Sequence, residues 1–269
     1  MHYDPVKNIF ARFIKSNPTF RKIFYSLLNL FFLRSWYIRK VLKEIIPKIT
    51  TETPEILDAG TGFGQYAYFI ARKFPNTKIT AVDIKEDYLN DASDFFKKAN
   101  LRNVYFKIDD LTKINYEQKF DLILCVDVME HIEDDLSVLK NFYRVLKSGG
   151  YLIINTPSVY GGSDAHNEKD VSFIGEHFRT GYSKEDMFEK LKQAGFNTFS
   201  GFYTYGFWGD KAWRIGIKYP MLLLNLSKLF LLILPIYYLF TLPFFILMNL
   251  IDTKSKIEIG TGLIVISRK

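Results

Sequence analysis

Residues Ile56–Ala67 read ILDAGTGFGQYA, an apolar run of strand character that breaks into a loop holding Asp58, Gly60, Thr61, Gly62 and Gly64. An aromatic-rich helical stretch follows. Glycine has no Cβ and tolerates positive φ, so a ligand can lie almost on the backbone of such a loop. Asp58 separates the ligand classes. Dinucleotide folds aim a helix N-terminus at a pyrophosphate, and a carboxylate at the loop entrance repels that anion; a cationic ligand suits it better. The spacing is also G-x-G-x-G, because position 65 is Gln, whereas the nicotinamide fingerprint is G-x-G-x-x-G.

Reading outward, the strand-like KITAVDI ends near Asp83, nineteen residues after Gly64, where a carboxylate suits ribose hydroxyls. NVYFKIDDLTKI closes a third strand on Asp109 and Asp110, and FDLILCVDVMEH carries a fourth that ends at Asp127. LSVLKNFYRVLKSGGYLIINTPS supplies a helix, a Gly-Gly turn and a fifth strand. In this order, from Ile56 to about Ser158, the chain resembles the class I S-adenosylmethionine-dependent methyltransferases. Each motif alone has a plainer reading: a tight turn, a helix cap at Asp83, a solvated strand end at Asp109 or Asp110.

The resemblance implies an α/β fold: a Rossmann-like seven-stranded sheet, last strand antiparallel, with helices on both faces. It implies S-adenosylmethionine as cofactor. Its binding residues would be Asp58, Gly60, Thr61, Gly62 and Gly64 in the loop, Asp83 and Ile84 after the second strand, and Asp127 after the fourth. An acidic residue closing the third strand meets the adenine amino group in this family. Asp110 matches best, because Leu111 continues the pattern, and Asp109 is the alternative.

Two places offer acceptor chemistry. Asp127-x-x-Glu130-His131 is similar to the Glu-x-x-Glu-His of ubiquinone-pathway O-methyltransferases, which is associated with a divalent cation. The resemblance thus implies a site for a cation such as magnesium at Asp127, Glu130 and His131, with Asp as a shorter first arm; the alternative is that these residues open the next helix. The second place is the long polar connection after the fifth strand, where EHFRTGYS resembles a segment of bacterial ubiquinone and menaquinone methyltransferases. His177 is the first candidate for general base, then His166 and His131. Arg179 suits an acceptor anion or a neighbouring acid equally.

Composition bounds the rest. A chain of 269 residues with 48% hydrophobic content can bury a full core and still carry appendages. Its single cysteine, Cys125, cannot form an internal disulfide, which favours a cytoplasmic setting. The net charge is +7, but residues 1–48 hold ten Lys or Arg against two acids, leaving about −1 elsewhere. That segment interleaves cations with Phe, Trp, Tyr and Leu, so its apolar residues point to an anionic membrane surface or a helical lid more than to nucleic acid.

Tyr219–Ile251 is apolar with Lys228 as its only charge. Leu229–Ile251 alone is long enough to span a bilayer. A closing strand, IEIGTGLIVISRK, must return beside the sixth, NTFSGFYTYGF, on one side of any membrane. A shallow helical hairpin turning near Pro235 or Pro243 meets that condition; a dimer interface is the alternative. The expected layout is an extension over 1–49, a methyltransferase core over 50–218, the insertion over 219–254 and a closing strand over 255–269. The expected function is methylation, O-methylation favoured, of a lipophilic small molecule such as a quinone precursor, pigment or lipid. It would act on the inner face of the membrane, with a homodimer allowed. The competing functions are an NAD(P)-dependent oxidoreductase and a catalytically idle membrane scaffold.

Overall fold

The apolar runs become strands β1 (Glu55–Ala59), β2 (Lys78–Asp83), β3 (Val104–Ile108), β4 (Phe120–Val126), β5 (Leu146–Pro157), β6 (Thr198–Thr204) and β7 (Gly262–Arg268). In this computed structural model, which describes residues 18–161 and 178–269, they pair as one sheet in the order β3-β2-β1-β4-β5-β7-β6. The first five strands run parallel; β7 lies antiparallel between β5 and β6, with Ile154 opposite Val265 and Phe202 opposite Ile264.

The helices are α1 (Pro18–Phe31), α2 (Leu33–Ile45), α3 (Gln65–Lys73), α4 (Glu86–Lys98), α5 (Asp135–Val145), α6 (Lys184–Gln193), α7 (Phe207–Trp213), α8 (Tyr219–Leu226) and α9 (Leu234–Lys254). Side chains alternate along each strand. Leu122 and Leu124 therefore face the layer of α1–α4, while Ile123 and Cys125 face α5 and α6. All four are fully buried, each aliphatic one contributing about 1.5–3 kcal/mol. Polar side chains fix the helix starts: Ser183 accepts from the Asp186 amide at 3.0 Å and Asp134 from the Ser137 amide at 3.1 Å.

The described part of the N-terminal segment, from Pro18 on, packs inward more than its charge pattern implies. Arg21 is 1% exposed, pairs with Asp91 on α4 and donates from Nη2 to the Phe63 carbonyl at 2.9 Å. The Tyr25 hydroxyl donates to the same carbonyl, and Gln65 donates to Asn29 at 2.9 Å and Ser35 at 2.8 Å. Arg34 pairs with Asp127, and Arg39 stacks 4.9 Å over Phe69. These three arginines are thus engaged inside the protein. What α1 turns outward includes three apolar side chains, Phe20, Ile23 and Leu27, beside Thr19, Lys22 and Ser26.

The insertion is a helical hairpin whose first arm begins at Phe207, well before the apolar run that starts at Tyr219. Helix α7, a π-helical stretch at Arg214–Lys218 and α8 form this arm; α9 returns. The turn falls at Ser227–Ile233, immediately ahead of Pro235, and Pro243 stays inside α9. Proline in a first helical turn sacrifices no hydrogen bond, so Pro235 starts α9. The π-helical stretch frees carbonyls, and two tyrosines satisfy them: Tyr237 donates to Ile215 at 2.7 Å and Tyr238 to Gly216 at 2.8 Å. A Cβ on Gly216 would lie 2.4 Å from the Phe245 ring, so glycine lets the arms close.

Asp252 bolts the root of the hairpin. It is buried, accepts from the Tyr37 hydroxyl of α2 at 2.6 Å and from the Gly209 amide at 2.8 Å. Helix α9, with 21 residues, is long and apolar enough to cross a membrane, and little of it is buried.

Candidate active site

The glycine loop between β1 and α3 has the backbone of a ligand cradle. Gly60, Gly62 and Gly64 all have positive φ, at 77°, 52° and 77°. A Cβ on Gly60 would come within 2.2 Å of Val128, whereas one on Gly62 would meet nothing within 4 Å. The loop is therefore packed behind and open in front. Asp58, at the end of β1, is buried and accepts from the Thr61 hydroxyl at 2.6 Å. Burial pushes its carboxyl up to about 6, because an ionised group in this position has lost water.

Asp83 ends β2 beside the loop. Its Oδ2 accepts from the Gly62 amide at 2.8 Å and its Oδ1 from the Lys85 amide at 2.9 Å, so the second strand positions the glycine loop directly. Each oxygen keeps a lone pair for a ligand hydroxyl. Ile84 beside it is 68% exposed, an apolar surface at the edge of the cradle. Asp109 and Asp110 follow β3. Asp109 accepts from Lys107 Nζ and from the Tyr116 hydroxyl, both at 2.8 Å. Asp110 accepts from the Thr112 amide at 2.9 Å and its hydroxyl at 2.7 Å, and these bonds hold its carboxyl below the usual range. Leu111 turns into the core. The cradle, a buried acid at its entrance and acids at the ends of β2 and β3 are of the kind that would hold S-adenosylmethionine, with Asp58 toward its cationic end, Asp83 toward the ribose, and Ile84 and the β3 acids toward the adenine.

Asp127, Glu130 and His131 do not form a cation site. Among the described residues no group of three His, Cys, Asp or Glu side chains has the geometry of one. The cause is the 3-10 turn Met129–His131. It drives Glu130 into the core, 1% exposed and accepting from Thr156 at 3.1 Å, and burial pushes its carboxyl up. His131 ends the turn at the surface. Asp127, at φ 51°, points instead toward Arg34 and accepts from the Asn155 side-chain Nδ2 at 2.6 Å. Arg179 pairs with buried Asp135, together with Tyr182 and Lys190, so it anchors a helix start and offers no free cation to an acceptor. His166 and His177 lie outside the described residues.

A cavity of about 130 Å³ opens at the ends of β4 and β5, at Asp127, the residue before the Val128 that packs on Gly60. Phe32, Arg34, Asp127, Asn155 and Tyr205 line it. The Tyr205 hydroxyl accepts from the Arg34 amide at 2.9 Å, and burial pushes its phenol up to about 12. It therefore stays protonated at neutral pH. Sequence reasoning missed Arg34, Asn155 and Tyr205 as site residues; they come from three distant segments, and no local motif marks them.

Asp58 gives a pH signature. A bound cation stabilises its ionised form, so S-adenosylmethionine affinity is expected to fall as pH drops through about 6, approaching about ten-fold per pH unit below it. For folding of the free protein the sign reverses. The raised carboxyl favours the folded chain below its unfolded pKa, and that contribution is lost as pH rises through about 6. Calorimetry across about pH 5–8 checks this, and an affinity flat over that range would remove Asp58 from the cation site.

Comparison with known proteins bears on this geometry. Residues 51–197 match the family model described as a methyltransferase domain. The chain is 26% identical over 152 residues to a malonyl-[acyl-carrier protein] O-methyltransferase of Bacillus cereus, covering 53% of this chain and 54% of that protein. It is 29% identical over 116 residues to a ubiquinone biosynthesis O-methyltransferase of Coxiella burnetii, covering 43% and 48%. The chain thus spans about half the length of these curated relatives. Among solved structures, a putative sarcosine dimethylglycine methyltransferase from Galdieria sulphuraria shares the fold with TM-score 0.60 at 19% identity, covering 87% of this chain and 84% of that one. So does phosphoethanolamine N-methyltransferase 2 of Haemonchus contortus, solved with S-adenosyl-L-methionine, with TM-score 0.61 at 17% identity over 97% and 60%.

Proposed function

The chain belongs to the methyltransferase-domain family, and on that premise we propose that it moves a methyl group from S-adenosylmethionine to a lipophilic small molecule at a membrane surface, with oxygen as the favoured acceptor atom. One observation carries the substrate class. The cavity beside the cofactor cradle is walled by Phe32 and Arg34, at the joint between α1 and α2, and by Tyr205, next to the root of the hairpin. Both elements carry exposed apolar residues: Phe20, Ile23 and Leu27 on α1, and Leu222, Leu226, Leu239, Phe240 and Phe244 on the hairpin. A molecule held in a bilayer by its apolar part would meet this cavity with its polar end.

Bound S-adenosylmethionine supplies an electrophilic methyl on its sulfonium. The protein aligns the acceptor with it and excludes water. Tyr205 donates a hydrogen bond to the acceptor oxygen, and Arg34 and Asp127 fix the cavity rim. His177, with His166 second, takes the proton of a hydroxyl acceptor. Two curated relatives named as O-methyltransferases support oxygen over carbon or nitrogen. A quinone precursor, a pigment and a lipid are the acceptor classes, and the cytoplasmic face of a membrane is the site of action.

Incubation with methyl-labelled S-adenosylmethionine and either a total lipid extract or an aqueous metabolite extract tests this reading. Label is expected to enter the organic phase with the lipid extract alone. Label confined to water-soluble products would overturn the lipophilic acceptor. A stable dimer that ignores vesicles would reassign the hairpin to a subunit interface.

A further inference from the structure

A cleft of about 380 Å³ lies between α2, strand β6 and the end of α9. Four lysines line it: Lys40, Lys184, Lys254 and Lys256, against one acid, Glu44. Among the described residues none of the four pairs with a carboxylate. Two are held in place: Lys40 donates to the Thr253 carbonyl at 3.1 Å, and Lys184 sits 4.8 Å over the Tyr203 ring.

Cations near a helix C-terminus also complement the macrodipole of α9, which is the modest role that Lys254 would play alone. Four ammonium groups exceed what Glu44 and a partial negative charge of about half a unit require, so the cleft retains a positive excess. Its position gives that excess a partner. The exposed apolar surface of α9 runs to Leu250, and Lys254 and Lys256 are the first exposed charges after it. If the hairpin enters the apolar layer of a membrane, the cleft stands at the depth of the head groups.

We propose that this cleft binds the phosphoryl head group of an anionic phospholipid and so fixes how the hairpin sits on the membrane. The proposal rests on the membrane reading above and adds a site to it. Ammonium groups act as compact point charges toward phosphate, and a juxtamembrane lysine strengthens attachment to an anionic surface roughly five-fold.

Flotation with vesicles separates the two claims. The intact protein is expected to bind phosphatidylcholine vesicles through the hairpin and to bind more tightly when phosphatidylglycerol is included. The triple variant Lys184→Gln, Lys254→Gln, Lys256→Gln should lose roughly 100-fold of the phosphatidylglycerol increment and keep its phosphatidylcholine binding. A charge-matched control, Lys73→Gln, Lys78→Gln, Lys98→Gln, carries its exposed changes on α3, β2 and α4 and should keep most of the increment. Equal losses in both variants would make the effect diffuse charge and overturn the cleft. Phosphate-specific competition that needs the three lysines, without any gain in vesicle binding from phosphatidylglycerol, would assign the cleft to free phosphate and also overturn the proposal. No binding of the intact protein to any vesicle would sink the membrane reading, and the cleft proposal with it.

Discussion

Replacing Asp83 with alanine is expected to weaken S-adenosylmethionine binding roughly 10- to 150-fold, the equivalent of about 1.5–3 kcal/mol for lost charge-assisted hydrogen bonds. Two effects combine. The ribose hydroxyls lose their acceptor, and the Gly62 amide loses the carboxylate that holds the loop at 2.8 Å. Asp83→Asn retains the shape and one acceptor oxygen, so it should fall between the two. Calorimetric titration of the three proteins reads the order. Wild-type affinity in Asp83→Ala would mean that the cofactor does not lie across the end of β2.

Arg21→Ala should produce the largest loss of stability. The guanidinium is buried against Asp91, donates to the Phe63 carbonyl and stacks near Tyr25, Phe63 and Phe95. Its removal leaves a mostly buried carboxylate without its partner, which costs about 3 kcal/mol at the lower end of such losses because Asp91 keeps some water. For a chain of this size the melting temperature should fall by roughly 6–12 °C. Because Phe63 belongs to the glycine loop, S-adenosylmethionine affinity should fall in the same variant. A wild-type melting temperature together with wild-type affinity would show that α1 does not brace the glycine loop through Phe63.

How much of this was legible in the sequence follows the range of each interaction. The strands and the cradle are local: the continuous apolar run of FDLILCV and glycines at three nearby positions need no distant partner. Asp58 and Asp83 were legible because a βαβ unit fixes their separation. The Asp127-Glu130-His131 motif misled for a local reason of another kind. Its spacing resembles a ligand set, but a 3-10 turn scatters the three side chains to the rim, the core and the surface.

The roles of Arg21 and Arg34 were not legible at all. Both look like cations of a basic amphipathic segment, and only the folded chain brings Asp91 and Asp127 to them. The start of the hairpin was obscured similarly, because α7 and the π-helical stretch do not stand out as an apolar run, yet they close on α9 at Gly209 and Gly216.

The central claim is that the glycine cradle is a site for a cationic sulfonium cofactor. Isothermal titration of the intact protein with S-adenosylmethionine, its demethylated product and NADH measures it most directly. The account predicts saturable one-to-one binding of the first two, with a release of protons near pH 6 as Asp58 ionises, and no heat from NADH. Binding of NADH, or no binding of S-adenosylmethionine, would contradict it.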